Sequence, residues 1–309
     1  MLTDLALYSD RLFMAAAGVY LLAMVLHALE YSSTRTPKAV LVGAGGPEVE
    51  QADVPAEVPA GRSRTDRLGR MGVALVILGV VLHLTSIVLR GITAGRWPLG
   101  NMYEFTAAIT LAAVVTWLLV LRKAPSARPV GMFVLLPVLI LMFLGGTVLY
   151  TRAAPVMPAL QSYWLVIHVT AISISCGLLL VPGVASVLFL LRRSSLFPQF
   201  TAKLPTADRL DRVAYRTTII GLPLYTFAVI CGAIWAEAAW GRFWGWDPKE
   251  TVAFIAWVIY AGYLHARATA GWRAERAAWI NVAGFATMIF NLFFINMVVA
   301  GLHSYAGLG

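Results

Sequence analysis

The chain has 309 residues, of which 60% are hydrophobic and 13% charged, and a mean hydropathy of +0.77; these values exclude an ordinary soluble globular domain. The formal net charge of +9 invites a nucleic-acid partner, but 18 of the 24 Lys and Arg residues fall in one alternating set of connections, which is the signature of membrane topology instead. The two cysteines, Cys176 and Cys231, each lie within an apolar run rather than in a Cys-x-x-Cys pair, so they are expected to be inert buried thiols, and any thiol reduction must come from elsewhere.

Crossing a hydrocarbon core of ~30 Å takes roughly 20 apolar residues. On that basis the expected fold is all-α, a polytopic integral membrane helical bundle of about eight transmembrane helices. The predicted spans are 11–29, 71–90, 104–121, 130–150, 164–191, 217–238, 251–267 and 279–301. The first run has no basic leader and no Ala-x-Ala cleavage site, so residues 1–30 are expected to form a retained transmembrane helix. Residues 31–66 form an expected disordered cytoplasmic linker, rich in Gly, Pro, Ala and acidic residues. Residues 67–309 form the main transmembrane domain, with an external loop at 239–251. Pro137, Pro182 and Pro223 fall inside predicted spans, where neighbouring helices can satisfy the carbonyls they free. Ahead of the sixth span, Thr206 can cap a helix over 206–216 with Leu210, Val213 and Ala214 on one face, which predicts an interfacial helix.

The basic connections are 30–70, 122–129, 192–216 and 265–278. The positive-inside rule makes them cytoplasmic. Both termini and the loop at 239–251 are then external, in a multi-pass protein of the cell membrane.

That loop concentrates Trp240, Phe243, Trp244 and Trp246 beside Arg242, Asp247, Lys249 and Glu250, with Gly241 and Gly245 between them. Indoles offer flat surface at low entropic cost, and glycine lets a ligand approach the main chain. The pattern suits a flat, mostly apolar partner with an anionic edge; a membrane-interface belt is the plain alternative. Pro248 fits the first position of a helix, so Asp247 is equally placed to cap it or to do chemistry. Arg242, Lys249, Arg96 and Arg152 are the external cations near it, suited either to an anionic ligand or to interfacial anchoring.

The run Trp240-Gly-x-x-Trp244-x-Trp246-Asp247-Pro248-Lys249-Glu250-Thr251 resembles the tryptophan-rich WWD signature of haem-handling membrane proteins, and specifically of the CcsA/ResC-type cytochrome c biogenesis family. The resemblance extends to Arg96-Trp-Pro-Leu-Gly-Asn-Met-Tyr-Glu104, to Tyr163-Trp-Leu-Val-Ile-His168 and to Gly301-Leu-His-Ser-Tyr305, and so from about residue 70 to the end. It implies a System II haem-handling protein with haem b as its substrate. Such a protein works with a ResB/Ccs-type membrane subunit, receives apocytochrome c, and depends on thioredoxin-like proteins for reduced thiols. It acts as part of a cytochrome c haem lyase (synthetase) complex, in contact with membrane lipid and with no nucleic acid.

The five histidines sort by depth. His168 lies about 6 Å inside the outer boundary by helix rise, and His303 just beyond it, both at the level of the tryptophan loop. Neutral imidazoles are the usual axial ligands of haem iron, and two on opposite faces fill both positions. His168 and His303 are therefore the expected iron ligands, with Trp240, Trp244 and Trp246 against the porphyrin. Arg242, Lys249 and Asp247 are the expected polar contacts. His265 is about 21 Å deeper, too far to serve the same iron; the resemblance implies a second, intramembrane haem there. His27 matches its depth best and His83 is shallower; for both, an ordinary packing or interface role is favoured over ligation.

The favoured function is haem binding and presentation at the outer face for covalent attachment to apocytochrome c. A di-haem b-type transmembrane electron carrier is the alternative from another class. A transporter without haem is disfavoured, because the spans carry almost no acids or bases away from histidine.

Overall fold

A computed structural model describes residues 2–33, 64–156, 161–194, 196–269, 272 and 274–303. Within these residues all the regular structure is helical, with no strand. In order, the helices are α1 (Leu2–Ser33), α2 (Arg64–Ala94), α3 (Met102–Lys123), α4 (Gly131–Thr147), α5 (Thr170–Arg193), the single turn α6 (Pro198–Thr201), α7 (Ala207–Trp240), α8 (Pro248–Ala268) and α9 (Ala274–Phe290). A 3-10 turn, Pro125–Val130, leads into α4. Two π-helical turns, Leu165–Val169 and Asn291–Ile295, open α5 and close α9.

Seven described helices are long and apolar enough to cross a membrane. Expected spans one to six and eight each overlap one of them, the fourth and eighth ending earlier than expected, at Thr147 and Ile295. The seventh, α8, is long enough at 21 residues but less apolar, because Lys249, Glu250, His265 and Arg267 lie within it. The helices α1 and α2 run past their predicted ends, to Ser33 and from Arg64; the rest of the expected linker, 34–63, lies outside the described residues. The expected interfacial helix at 206–216 is not a separate element. It runs unbroken into the following span as α7, 34 residues long, and Thr206 stands at its N-cap without a side-chain hydrogen bond to the helix.

Helix ends follow local chemistry. Asn101 caps α3 by accepting from the Glu104 amide at 2.9 Å, and Arg122 and Lys123 stand in its last turn, where cations suit the helix dipole. The centre of the bundle is α5, whose residues Ala171 to Phe189 are buried on most sides by α3, α7 and α9. It meets α3 closely: a Cβ on Gly177 would stand 2.4 Å from the Ile109 carbonyl oxygen, the small-residue packing expected where helices associate in lipid. The pair α1 and α2 packs against α4 and α3 at the side.

Two ion-pair clusters fasten the ends of that side. At one end Arg128 joins Glu30 at 2.6 Å and Asp66 at 3.0 Å. At the other, the buried carboxylate of Glu104 takes Arg90 Nε at 3.0 Å, Arg96 Nη1 at 2.7 Å and the Gly100 amide at 2.7 Å. Glu104 thereby ties the 95–101 loop to α2 and α3, which explains the Arg96 to Glu104 stretch structurally.

Candidate functional site

The tryptophan loop joins α7 to α8, and its course is set by its own backbone. Gly241 ends α7 in the left-handed region, φ 71°, with its amide donating to Glu237 O. Glu250 Oε2 then gathers the amides of Gly245 (2.9 Å) and Asp247 (3.1 Å). Asp247 completes a capping box with Glu250, and Pro248 follows at the first helical position. Between these clamps Trp246 is held at φ 56°, unusual for a bulky residue.

This path separates the loop's aromatics. Trp240 and Trp244 line a cleft of about 1370 Å³, counting its open part, bounded by α3, α5, α7, α8 and α9. Trp246 and Phe243 are turned away, 68% and 60% exposed, and Trp246 reaches only the edge of Trp244, at 5.9 Å between ring centroids.

The cleft also takes His168 and His303, which are 135 positions apart in sequence. His168 is in the first π-helical turn, a local insertion frequent at functional sites. Its Nδ1 lies 2.8 Å from the carbonyl oxygen of Ala228. A carbonyl only accepts, so Nδ1 carries the proton and Nε2 the lone pair. Space for the ring comes from Gly232, where a Cβ would stand 2.6 Å from His168 Cε1. His303 puts Nδ1 2.8 Å from Asp247 Oδ2 and sets its ring edge-on to Trp240, 5.1 Å between centroids. Both imidazoles are thus held in the tautomer a metal-binding histidine needs, with a fixed acceptor behind Nδ1.

Asp247 has two tasks at once. It accepts from the Lys249 amide at 3.3 Å as cap and from the Leu302 amide at 2.7 Å. Burial alone would raise its carboxyl, but the His303 and Leu302 hydrogen bonds hold it below the usual range. Burial and the nearby Lys249 ammonium lower the His303 imidazole, against the pull of Asp247. At neutral pH that leaves a carboxylate beside a neutral imidazole.

Of the expected polar contacts, only Lys249 lines the cleft. Arg242 is exposed, outside the cleft lining, and donates to Gly245 O at 3.3 Å. Trp246, turned outward at its left-handed backbone position, and Asp247, which meets His303, also stand outside that lining. Arg96 is spent on Glu104, and Arg152 is exposed.

The remaining histidines stand apart from the cleft. His265 is exposed near the far end of α8. His83 is fully buried between Phe13 and Tyr20, 5.5 and 6.0 Å between centroids, and neither ring nitrogen is hydrogen-bonded. His27 is clasped between Gly72 and Gly131 with Nδ1 3.4 Å from Glu30.

Several lining residues escaped sequence reasoning, notably Trp235, Phe105, Cys176, Asn291 and Asn296. The two asparagines carried a usable signal, since amides inside an apolar run need partners. Trp235 carried none, because which face of α7 meets α5 depends on packing.

A family profile described as "Cytochrome C assembly protein" matches residues 99–303. The cytochrome c biogenesis protein CcsA of Parasynechococcus marenigrum (strain WH8102) is 36% identical over 271 residues, 75% of this chain and 85% of that protein. CcsA of Synechococcus sp. (strain RCC307) is also 36% identical, over 79% of this chain and 86% of its own length. Among solved structures, the cytochrome c heme lyase CcmF superposes with a TM-score of 0.65 at 18% identity, covering 94% of this chain. This chain spans 46% of that lyase, and the likeness concerns the fold alone.

Proposed function

The chain belongs to the cytochrome c assembly protein family, as a CcsA-type multi-pass membrane protein; from that premise we propose that it holds haem b in the cleft and presents it to apocytochrome c at the extracytoplasmic face. One observation carries the reading: His168 and His303, from distant parts of the chain, line one cleft with Trp240 and Trp244, and each has its Nδ1 occupied. Haem is the substrate here, and its iron takes the two Nε2 lone pairs.

The protein's contribution is positioning. Trp240 and Trp244 supply flat apolar surface for the porphyrin, and the two imidazoles occupy the iron until the substrate's own histidine replaces one of them. Each thioether forms when a cysteine S–H of apocytochrome c adds across a vinyl C=C, with no net oxidation or reduction. Holding the ring in a fixed place makes that addition effectively intramolecular.

Placement of the loop outside the cell follows the excess of Lys and Arg in the opposite connections. Residues 67–309 form the haem-handling domain, and 1–30 the accessory span. His265, on an exposed stripe of α8 with Ile255 and Val258, is proposed to face a ResB/Ccs-type membrane subunit and to ligate a second haem with it. Apocytochrome c and thioredoxin-like reductants complete the set of partners.

The test is purification of the complex with His168→Ala, His303→Ala and Trp244→Ala variants. Each is expected to lose haem and cytochrome c yield, and added imidazole to restore haem to the histidine variants. Wild-type haem content and maturation in all three would refute the proposal.

A further inference from the structure

The wall of the cleft holds an ammonium that makes no direct ion pair, although the Glu250 carboxylate, occupied by the Gly245 and Asp247 amides, lines the same cleft. Lys249 stands in the first turn of α8 and lines the cleft. Its Nζ donates to Asn296 Oδ1 and lies 5.7 Å from the Phe105 ring centroid. Among the described residues, its Nζ hydrogen-bonds to Asn296 and makes no ion pair with a carboxylate. An ammonium has three N–H donors, and holding one out of water is costly until an anion meets it.

The surroundings fix where that charge points. Asn296 spends its amide nitrogen on the carbonyls of Leu292 (2.7 Å) and Asn291 (3.3 Å), so its oxygen is turned towards Lys249. Asn291 donates to Lys249 O at 3.3 Å, and its own Oδ1 is buried without a partner. Both asparagines belong to the end of α9, where the π-helical turn brings them to the cleft. Of the other cations at this end, Arg90 and Arg96 pair with Glu104, Arg242 donates to Gly245 O, and Arg152 is exposed outside the cleft lining.

We propose that Lys249, backed by Asn296, is a carboxylate-binding subsite that draws one propionate of the bound haem to the α8 wall and so fixes the ring's rotation in its own plane. The subsite rests on the haem-holding reading above and adds what that reading lacks. Two axial imidazoles define the porphyrin plane, yet both bonds lie on the axis about which the ring turns. Indole stacking is equally indifferent to in-plane angle. A single off-axis cation breaks that degeneracy, because the propionates occupy one edge of haem and the vinyl groups lie towards the other. Lys249 thereby determines which edge of the substrate the incoming thiols meet.

The experiment titrates the full chain, purified in detergent, with haem b and with its dimethyl ester, in which both propionates are esterified. Wild type is expected to favour haem b by about 10- to 100-fold, as for a hydrogen bond between charged groups. Lys249→Met is expected to lose that preference while keeping the spectrum of a doubly histidine-ligated iron. Asn296→Asp keeps the lysine but gives it an internal counter-ion, and is expected to reduce the preference as well, which serves as an independent variant should Lys249→Met fold poorly. An unchanged preference in both variants, with the histidine-ligated spectrum intact, overturns the subsite and leaves the haem-holding reading standing. If neither porphyrin gives wild type a spectrum that depends on His168 and His303, the haem-holding reading falls, and the subsite with it.

Discussion

Replacing Asp247 by Asn tests the one carboxylate oxygen, Oδ2, that serves both His303 and the helix cap. The amide keeps a single oxygen, which stays at the Oδ1 position because the Leu302 amide 2.7 Å away can only donate. The oxygen 2.8 Å from His303 Nδ1, however, becomes an NH₂ group facing an N–H. The imidazole relieves that donor–donor contact by moving its proton to Nε2, the nitrogen assigned to iron. Losing a partner behind a metal-binding histidine typically costs 10–100-fold in affinity, or about 1.4–2.7 kcal/mol. Asp247→Asn is therefore expected to bind haem about 10- to 100-fold more weakly and, because the Lys249 amide loses its cap, to melt lower by about 1 kcal/mol of stability. Asp247→Ala loses the Leu302 contact in addition and is expected to melt lower still. Haem titration read by absorption, alongside melting of the haem-free protein, separates the two effects. Wild-type haem affinity and spectrum in Asp247→Asn would refute the coupling of Asp247 to His303.

Gly232→Ala places a methyl 2.6 Å from His168 Cε1, so the ring must leave its contact with Ala228 O; haem content is expected to fall by at least tenfold while the helical far-UV spectrum is kept. Trp246→Ala and Arg242→Ala remove side chains that face away from the cleft, and purified variants are expected to retain haem within about twofold of wild type, near the limit for changes outside a site. Glu104→Gln leaves Arg90, 5% exposed, without its main counter-charge; removing one partner of a buried pair costs about 3–5 kcal/mol, and a correspondingly lower melting temperature and poorer membrane yield are expected.

Much of the site was legible because chemistry and spacing coincide in the loop. Asp247-Pro248 with Glu250 three residues after the cap is a helix start by residue type alone, and it appears as a capping box. His168 and His303 could be matched in depth by counting residues along helices, and both line the cleft. Trp246 shows where such reading stops. Nothing in Trp244-Gly-Trp246 tells which indole turns inward; the left-handed conformation at Trp246, fixed by two amides converging on Glu250, decides it. The helix at 206–216 is a second example, because amphipathic residues read as an interfacial element whether or not the helix continues into a span.

The sequence by itself determined the class of molecule, the number of long helices to within one and the chemical character of the loop. Hydrophobic run length, charge asymmetry and capping residues are local properties, and each acts through neighbours along the chain. Only the tertiary structure decided that Asp247 stands behind His303, that Gly232 makes room for His168, and that Lys249 alone among the candidate cations reaches the cleft. Those outcomes depend on which faces of α5, α7, α8 and α9 meet, and helix faces are chosen by packing between segments far apart in the chain, which no local pattern records.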